Sequence, residues 1–420
     1  MHRKKIGIVC LFLLLQCFLL FKGSGIFGII LNPILFFIVS FAFPFFINYV
    51  DQVKYVSNDP TINYPQSKGN LQGLLYALLG VFSVVCSFEE IRKLFKKFPL
   101  PTPNSDIFQQ LDMLYDRFTQ GVFPYAPVET VFYKPYPVYL PMHWLPIGIS
   151  RYLHLDTRWS AFFILALVVG IFAFYVGKQV LPWFQKVFII ALPSLTIWVF
   201  ILFGGEDLIV SFEVLIMAYY FLLATGFIFK NNSLIILGLI LCLLSRYTLI
   251  FWTPLLAIIF LVNFPLKKNI VYAFLVISAI AVIYIIPFIL KDPSIFAKGI
   301  RYHNGCCVSE IDNGFYTSFN GVHFAYLLHL IPTKNTEASV FMMRCVQAIA
   351  LLSMLGLGLF TYFKRKSHPN LYVHLLHYLY LFVLVFFCFS PLTYRYYLSV
   401  LLILSIAVCL QWIINLKKVP

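Results

Sequence analysis

Apolar residues in this chain come in continuous runs, one after another from end to end. Each run has about the length that crosses ~30 Å of hydrocarbon. Twelve are read, at roughly 6–22, 26–49, 70–88, 159–177, 187–203, 207–229, 233–245, 248–263, 270–290, 339–363, 371–390 and 395–415. Segments apolar all round predict helices surrounded by lipid or by other helices. Strands of a membrane barrel would alternate instead. The expected fold is an all-α polytopic membrane protein, a single domain over 1–420 with about twelve transmembrane helices. The runs at 187–203, 233–245 and 248–263 are short, and Ser245-Arg246-Tyr247 separates the last two. That pair reads as one broken helix or as a re-entrant unit.

Polar residues gather in two long gaps, about 89–158 and about 291–338. In the first, FEEIRKLFKKF (Phe88–Phe98) puts Phe88, Ile91, Leu94, Phe95 and Phe98 on one face and cations opposite, which predicts an amphipathic helix lying at the membrane surface. Pro99, Pro101 and Pro103 stop it. Ile107, Leu111, Leu114 and Phe118 recur at helical spacing over Ile107–Thr119. The segment 135–146, PYPVYLPMHWLP, is too rich in proline to span and suits a surface crossing.

Composition fits this pattern: 61% hydrophobic, 19% aromatic, 11% charged, mean hydropathy +0.88. The net charge of +15 would suggest nucleic acid in a soluble protein. Here it is explained by basic loops on the cytoplasmic side. With the N-terminus inside, the inner side receives Arg3, Lys4, Lys5, Lys54, Lys68, Lys178, Lys186, Lys230, Lys267, Lys268, Lys364, Arg365, Lys366, Lys417 and Lys418, while the outer turns 204–206 and 391–394 hold no Lys or Arg except as the last helix begins. Both long loops then face the same, extracytoplasmic side. Met1–Phe21 has the basic start and apolar stretch of a signal peptide, and reads as an uncleaved first helix because the next run follows almost at once, with cleavage after Gly23 or Gly25 as the alternative. Seven of the nine cysteines lie in apolar runs and act as small hydrophobes.

The chemistry-bearing residues sit mainly in and around the outer loops. Asp106 precedes an apolar-periodic stretch, so it reads as a helix cap or as a general base. Asp112 and Asp116 fall on the polar side of the same helix, with Asp116 a reserve for the base. Glu206 and Asp207 follow Gly204-Gly205, either capping the next helix or lining a cavity that binds sugar hydroxyls or metal. Arg246 interrupts an apolar stretch, the mark of an interior or cavity cation unless it snorkels at a turn. Arg395 stands among Tyr394, Tyr396 and Tyr397 at the mouth of the last helix, as a phosphate ligand or an interfacial anchor. Arg301–Cys307 with Glu310 and Asp312 reads as an ordinary turn rather than a metal site, and His374 and His377 as packing. No phosphate-binding glycine loop is present.

The order Ser105-Asp106, Tyr115, Gly121-x-x-Pro124-Tyr125 and then the aromatic, proline-rich 135–146 ending in Leu145-Pro146 resembles the first extracytoplasmic loop of the GT-C superfamily of polytopic glycosyltransferases. It is most similar to bacterial polyprenyl-phosphate-mannose-dependent mannosyltransferases, though three spans precede this loop where the common pattern has one. The resemblance implies an inverting transfer with Asp106 as catalytic base. It implies Arg395 on the donor phosphate; Arg246 beside it, and Glu206, Asp207, Tyr125 and Tyr394 around the substrate, are added as candidates from the sequence's own layout. The implied donor is a polyprenyl-phosphate-linked hexose, possible mannose included, and the acceptor an extracytoplasmic glycan or glycolipid. The partners are membrane lipids and no nucleic acid, and no cofactor or divalent metal is demanded. The implied location is a bacterial inner membrane. A lipid-linked oligosaccharide polymerase or ligase, and a lipid or sugar transporter, are the rival readings. Glu213 and Arg344, near span ends, are the charges a transporter would use.

Overall fold

The computed structural model describes residues 2–51, 69–100, 105–127, 135–314, 322–364, 370–392 and 394–415. Among the basic residues assigned to the inner side, Lys54, Lys68, Arg365, Lys366, Lys417 and Lys418 lie outside the described residues, as do Pro101 and Pro103.

The chain is an all-α polytopic membrane protein. Its helices are α1 His2–Phe18, α2 Ser24–Asp51, α3 Asn70–Val85, α4 Phe88–Lys97, α5 Ile107–Thr119, α6 Pro141–Trp144, α7 Gly148–Tyr152, α8 Trp159–Gly177, α9 Trp183–Leu202 and α10 Glu206–Ile209. There follow α11 Glu213–Ile228, α12 Asn232–Leu243, α13 Thr253–Asn263, α14 Leu266–Ile280, α15 Ile295–Asp312, α16 Ala325–His329, α17 Thr336–Lys364, α18 Leu371–Cys388 and α19 Ser399–Asn415. Among the described residues, eight helical stretches are long and apolar enough to cross a membrane. The first, Gly7–Ile47, has 41 residues, about twice what a crossing needs. It folds back on itself. Gly28 takes φ +71°, a conformation that costs glycine little, and Phe12 stacks on Phe46 at 5.2 Å between ring centroids.

Three further apolar helices, α11, α12 and α13, have 16, 12 and 11 residues. At 1.5 Å per residue all three are shorter than the ~30 Å hydrocarbon thickness, the last two by far. The break expected at Ser245–Tyr247 is present: α12 ends at Leu243, and a 3₁₀ turn over Tyr247–Phe251 leads into α13. The run at 207–229 is two helices, α10 and α11, because the chain bends over 210–212. After α14 the helix widens to π form over Ala281–Ile289, around Pro287, whose missing N–H removes a regular helical bond. The turn expected at 301–307 is instead helix, part of α15. Gly299, Asn304 and Gly305 are poor helix formers. Burial decides the matter: Cys307 and Ile311, one helical turn apart, pack with Ala325, Val340 and Met343.

The contacts divide the chain into two compact units. The first comprises Met1–Pro60, Thr248–Phe264 and Asn304–Pro420. Its centre is α18, buried along most of its length against α2, α17 and α19. Polar side chains tie these helices together. Gln16 donates to the Tyr380 hydroxyl at 2.6 Å, Tyr380 donates to the Ser40 carbonyl at 3.0 Å, and Ser405 donates to Gln16 at 3.0 Å. His374 meets the Gly358 carbonyl at 3.0 Å and lies against Tyr362 and Tyr378, a packing role as expected from its position.

The second unit comprises Thr61–Tyr247 and Pro265–His303. Its centre is α11, every residue of which is buried. Around it the helices approach to backbone contact through glycine. A Cβ at Gly80 would lie 2.8 Å from the Val169 carbonyl, and one at Gly238 would lie 2.7 Å from the Leu223 backbone. The amphipathic helix α4 forms as its periodicity predicts, with Ile91 and Phe95 buried and Arg158 held over the Phe95 ring at 4.0 Å. Gly238→Val is expected to lower the melting temperature of the detergent-solubilised protein, by an overpacking cost of about 1–3 kcal/mol. Gly356→Ala, with nothing within 4 Å of the added carbon, is expected to leave it unchanged or slightly raised.

Candidate functional site

The site is built on α5 and what α5 touches in the second unit. The helix begins where its sequence predicts, but Asp106 does not cap it. Ser105 accepts the Ile107 N–H at 3.2 Å, and the Asp106 carboxylate accepts the side-chain amide of Gln110 at 2.6 Å. Gln110 is itself buried. Farther along, Asp112 pairs with Arg151 at 2.9 Å and accepts from Thr157 at 3.0 Å, and Asp116 meets Arg151 at 3.5 Å. Burial pushes the Asp112 carboxyl above its ordinary value, while Arg151 beside it pulls the other way. These two acids fix α5 to α7 and to the segment that follows it, and are not a solvated face alone.

The turn after α5 is closed by Arg117, which donates to the carbonyls of Pro124, Ala126 and Pro127. Gly121 takes φ +73° to start it. Tyr125 is buried. Its hydroxyl donates to the Tyr139 carbonyl at 2.8 Å and accepts from the Trp144 indole at 3.3 Å, so both capacities are spent inside the protein. Burial pushes its phenol well above the ordinary value.

The proline-rich segment 135–146 is pinned by backbone contacts. Met142 N–H donates to the Leu244 carbonyl at 2.9 Å, and the Tyr219 hydroxyl donates to the Met142 carbonyl at 3.1 Å. This sets the next residue, His143, beneath the surface between Tyr139 (4.9 Å) and Phe212 (6.2 Å). Burial, reinforced by the Arg246 charge, pushes the imidazole well below its ordinary pKa, opposed by the Ser245 backbone. His143 is therefore neutral at physiological pH. Arg246 in turn makes an ion pair with Glu213, the buried first residue of α11. Phe212, the neighbour of Glu213, meets Phe108 of α5 edge-on at 5.8 Å. One ring contact thus links the start of α5, two residues after Asp106, to the Glu213–Arg246–His143 cluster.

Asp106 and Arg246 were both singled out by sequence, and the fold brings their surroundings together. Glu206 and Asp207 stand in the first turn of α10, after Gly204 and Gly205 at φ +110° and +73°, and α10 packs on α4 and α9. Tyr394 and Arg395 belong to the first unit. There Tyr394 donates to Glu310 at 3.2 Å and stacks on Tyr396, and the Arg395 guanidinium lies over the Phe21 ring at 5.5 Å. Burial raises the Glu310 carboxyl. Among the described residues no group of three or more His, Cys, Asp and Glu could hold a metal ion. Arg344 bonds Gln347 at 3.1 Å and approaches Cys307.

Sequence reasoning missed His143 as a member of the site and treated Glu213 as an isolated charge. The signals were present: an acid opening a wholly apolar helix, and an imidazole between prolines and tryptophan. No family model matches this chain, and no curated protein or solved structure is significantly similar to it.

The ion pair generates a double-variant prediction. Arg246→Met alone leaves the Glu213 carboxylate buried without its partner and is expected to destabilise the protein by about 3–5 kcal/mol. Adding Glu213→Leu is expected to restore most of that loss. Thermal melts of the two variants check it; equal melting temperatures for single and double variants would count against the pair.

Proposed function

We propose that the protein is a membrane glycosyltransferase of the GT-C kind, moving a hexose from a polyprenyl-phosphate carrier to an extracytoplasmic glycan or glycolipid. The single observation that carries this reading is the state of Asp106. Its carboxylate is not used to cap α5, is held by Gln110, and stands one ring contact from a buried cluster with a cation and a neutral imidazole. A carboxylate so placed suits a general base. In the proposed reaction an acceptor hydroxyl oxygen attacks the anomeric carbon from the face opposite the phosphate. The bond from that carbon to the phosphate oxygen breaks, and the phosphate leaves with the electron pair. Asp106 takes the hydroxyl proton.

Arg395 is assigned to the departing phosphate, whose charge a guanidinium matches in shape. Arg246 already balances Glu213, so it adds no net charge of its own for the phosphate. A transporter is the second reading, favoured by the same buried ion pair at the end of apolar helices. Transfer assays separate the two. Purified protein is expected to move sugar from a polyprenyl-phosphate hexose; transfer from a sugar nucleotide with no lipid carrier present would overturn the proposal.

Asp106→Asn still accepts the Gln110 amide through its oxygen but cannot take a proton. Turnover is expected to fall by about 10²–10⁴-fold with donor binding and protein yield little changed. Arg395→Ala is expected to weaken donor binding instead. Near-normal turnover of Asp106→Asn at saturating acceptor would remove Asp106 from the mechanism. The proposed orientation places Asp106 on the extracytoplasmic face of a bacterial inner membrane. A cysteine at position 106 is expected to react with an impermeant thiol reagent added outside intact cells; reaction only after the membrane is opened would reverse it.

A further inference from the structure

Among its described residues the second unit holds acids at one end only, in company with cations such as Arg92, Lys93, Lys96, Lys97 and Arg158, while the charges at the other end are all lysines. α3 and α8 run antiparallel, with Gly73 against Phe174 and Gly177, so the start of α3, the end of α8 and the start of α9 share one end. The α11–α12 turn belongs there too, since Asn231 donates to the Tyr175 hydroxyl at 2.8 Å. So does the start of α14, through Asn232 and Tyr272 at 3.2 Å. This end carries Lys178, Lys186, Lys230, Lys267 and Lys268, and no Asp or Glu occurs over 171–186, 229–234 or 265–272. The acids fall at the opposite end: Glu89 and Glu90 after α3, Glu206 and Asp207 after α9, Glu213 at the start of α11, and Asp292 after the π-helical stretch.

An open apolar groove runs along the spanning helices near the lysine end. Ala77, Val81, Leu167, Ile171, Phe174 and Leu234 line it, and its volume is 410 Å³, within the ~300–1,000 Å³ of ordinary ligand sites. Gly170 keeps it open, since a Cβ there would come within 2.9 Å of Val81. Leu78 and Leu167 on its walls are well exposed. At the mouth, Lys178 holds its ammonium 4.5 Å above the ring of Phe174. A slot in a lipid-facing wall, with an ammonium held over its own lining and no carboxylate among the described residues of the second unit at that end, selects a ligand with a long apolar chain and a negative head. A zwitterionic lipid would bring a second ammonium beside Lys178 and the other lysines of that end.

We infer that this groove binds an anionic glycerophospholipid, its acyl chain along α3 and α8 and its phosphate against Lys178 and Lys230. The site is separate from the one proposed for sugar transfer. Under that reading the carrier presents its phosphate at the acid-bearing end, so a carrier is not the occupant expected here. The lysine end would then face the leaflet that supplies anionic headgroups.

The test uses full-length protein, delipidated in mild detergent and mixed with phosphatidylglycerol or phosphatidylcholine, with bound lipid counted by native mass spectrometry. Phosphatidylglycerol is expected to be retained in preference. Lys178→Gln is expected to weaken its binding about fivefold, which is ~1 kcal/mol for one basic residue beside an anionic headgroup, and Lys178→Gln with Lys230→Gln to weaken it further. Ala77→Phe fills the groove and is expected to abolish retention. If its melting temperature in detergent alone shows that it has not folded, Leu78→Trp on the exposed wall replaces it. Equal retention of the two lipids, retention unchanged in Lys178→Gln and in the groove-filling variant, or displacement of phosphatidylglycerol by equimolar polyprenyl phosphate would each overturn the assignment. None of these outcomes depends on transfer activity, so the lipid site and the transferase reading fail separately.

Discussion

Helices already surrounded by lipid gain little from exchanging lipid contacts for contacts with one another, so their association rests on how closely they can pack and on the polar groups they pair. The second unit depends on that constraint. Gly73, Gly80, Gly170 and Gly177 let α3 and α8 approach until side chains and backbone touch, and Gly226 and Gly238 do the same for α11 and α12. With α11 enclosed on all sides, its first residue, Glu213, is carried out of reach of water and requires a cation. Arg246 supplies it because α12 runs back beside α11 and ends at the same level. The polar cluster is thus a product of close apolar packing elsewhere.

That cluster then organises what lies over it. A carboxylate and a guanidinium held together have an imidazole, His143, as the third member, on which burial first, and the Arg246 charge second, oppose a proton. The proline-rich segment forms only the short helix α6, and backbone hydrogen bonds from Met142 tie it to the end of α12 and a tyrosine of α11. α5 is braced on its other side by Arg151 and Arg117, each satisfying several acceptors at once. The carboxylate of Asp106 is therefore attached to a rigid helix, which is what orientation-dependent chemistry requires.

Local signals in the sequence were read well. The Ile107–Thr119 helix forms over the residues its periodicity marks, α4 has the buried face its alternation of aromatics and cations implies, and the break at Ser245–Tyr247 occurs. Features set by distant partners were not legible. At the start of α5, either Ser105 or Asp106 could have met the first N–H groups, and it is Ser105 that accepts one while the Asp106 carboxylate turns to Gln110. α15 contains glycines and an asparagine that argue for a turn, and is helical because of residues in α16 and α17. His143 and Glu213 lie far apart in sequence, on either side of several helices, and nothing local to either names Arg246 as the common neighbour.

Gln16 has a consequence for biogenesis. Its amide is the hydrogen-bond partner of Tyr380 and of Ser405, side chains near the other end of the chain and buried in the first unit. Those hydroxyls are made late in synthesis and enter the membrane after the first helix is already there. Those two bonds therefore form only once α18 and α19 have joined α1. Were a peptidase to remove the residues before Gly23, α18 and α19 would assemble around a vacant polar seam, with Ser405 left to bond back to its own helix at Leu401 and Tyr380 to the Ser40 carbonyl. A segment that looks by composition like an address carries, in the folded protein, hydrogen bonds that reach α18 and α19.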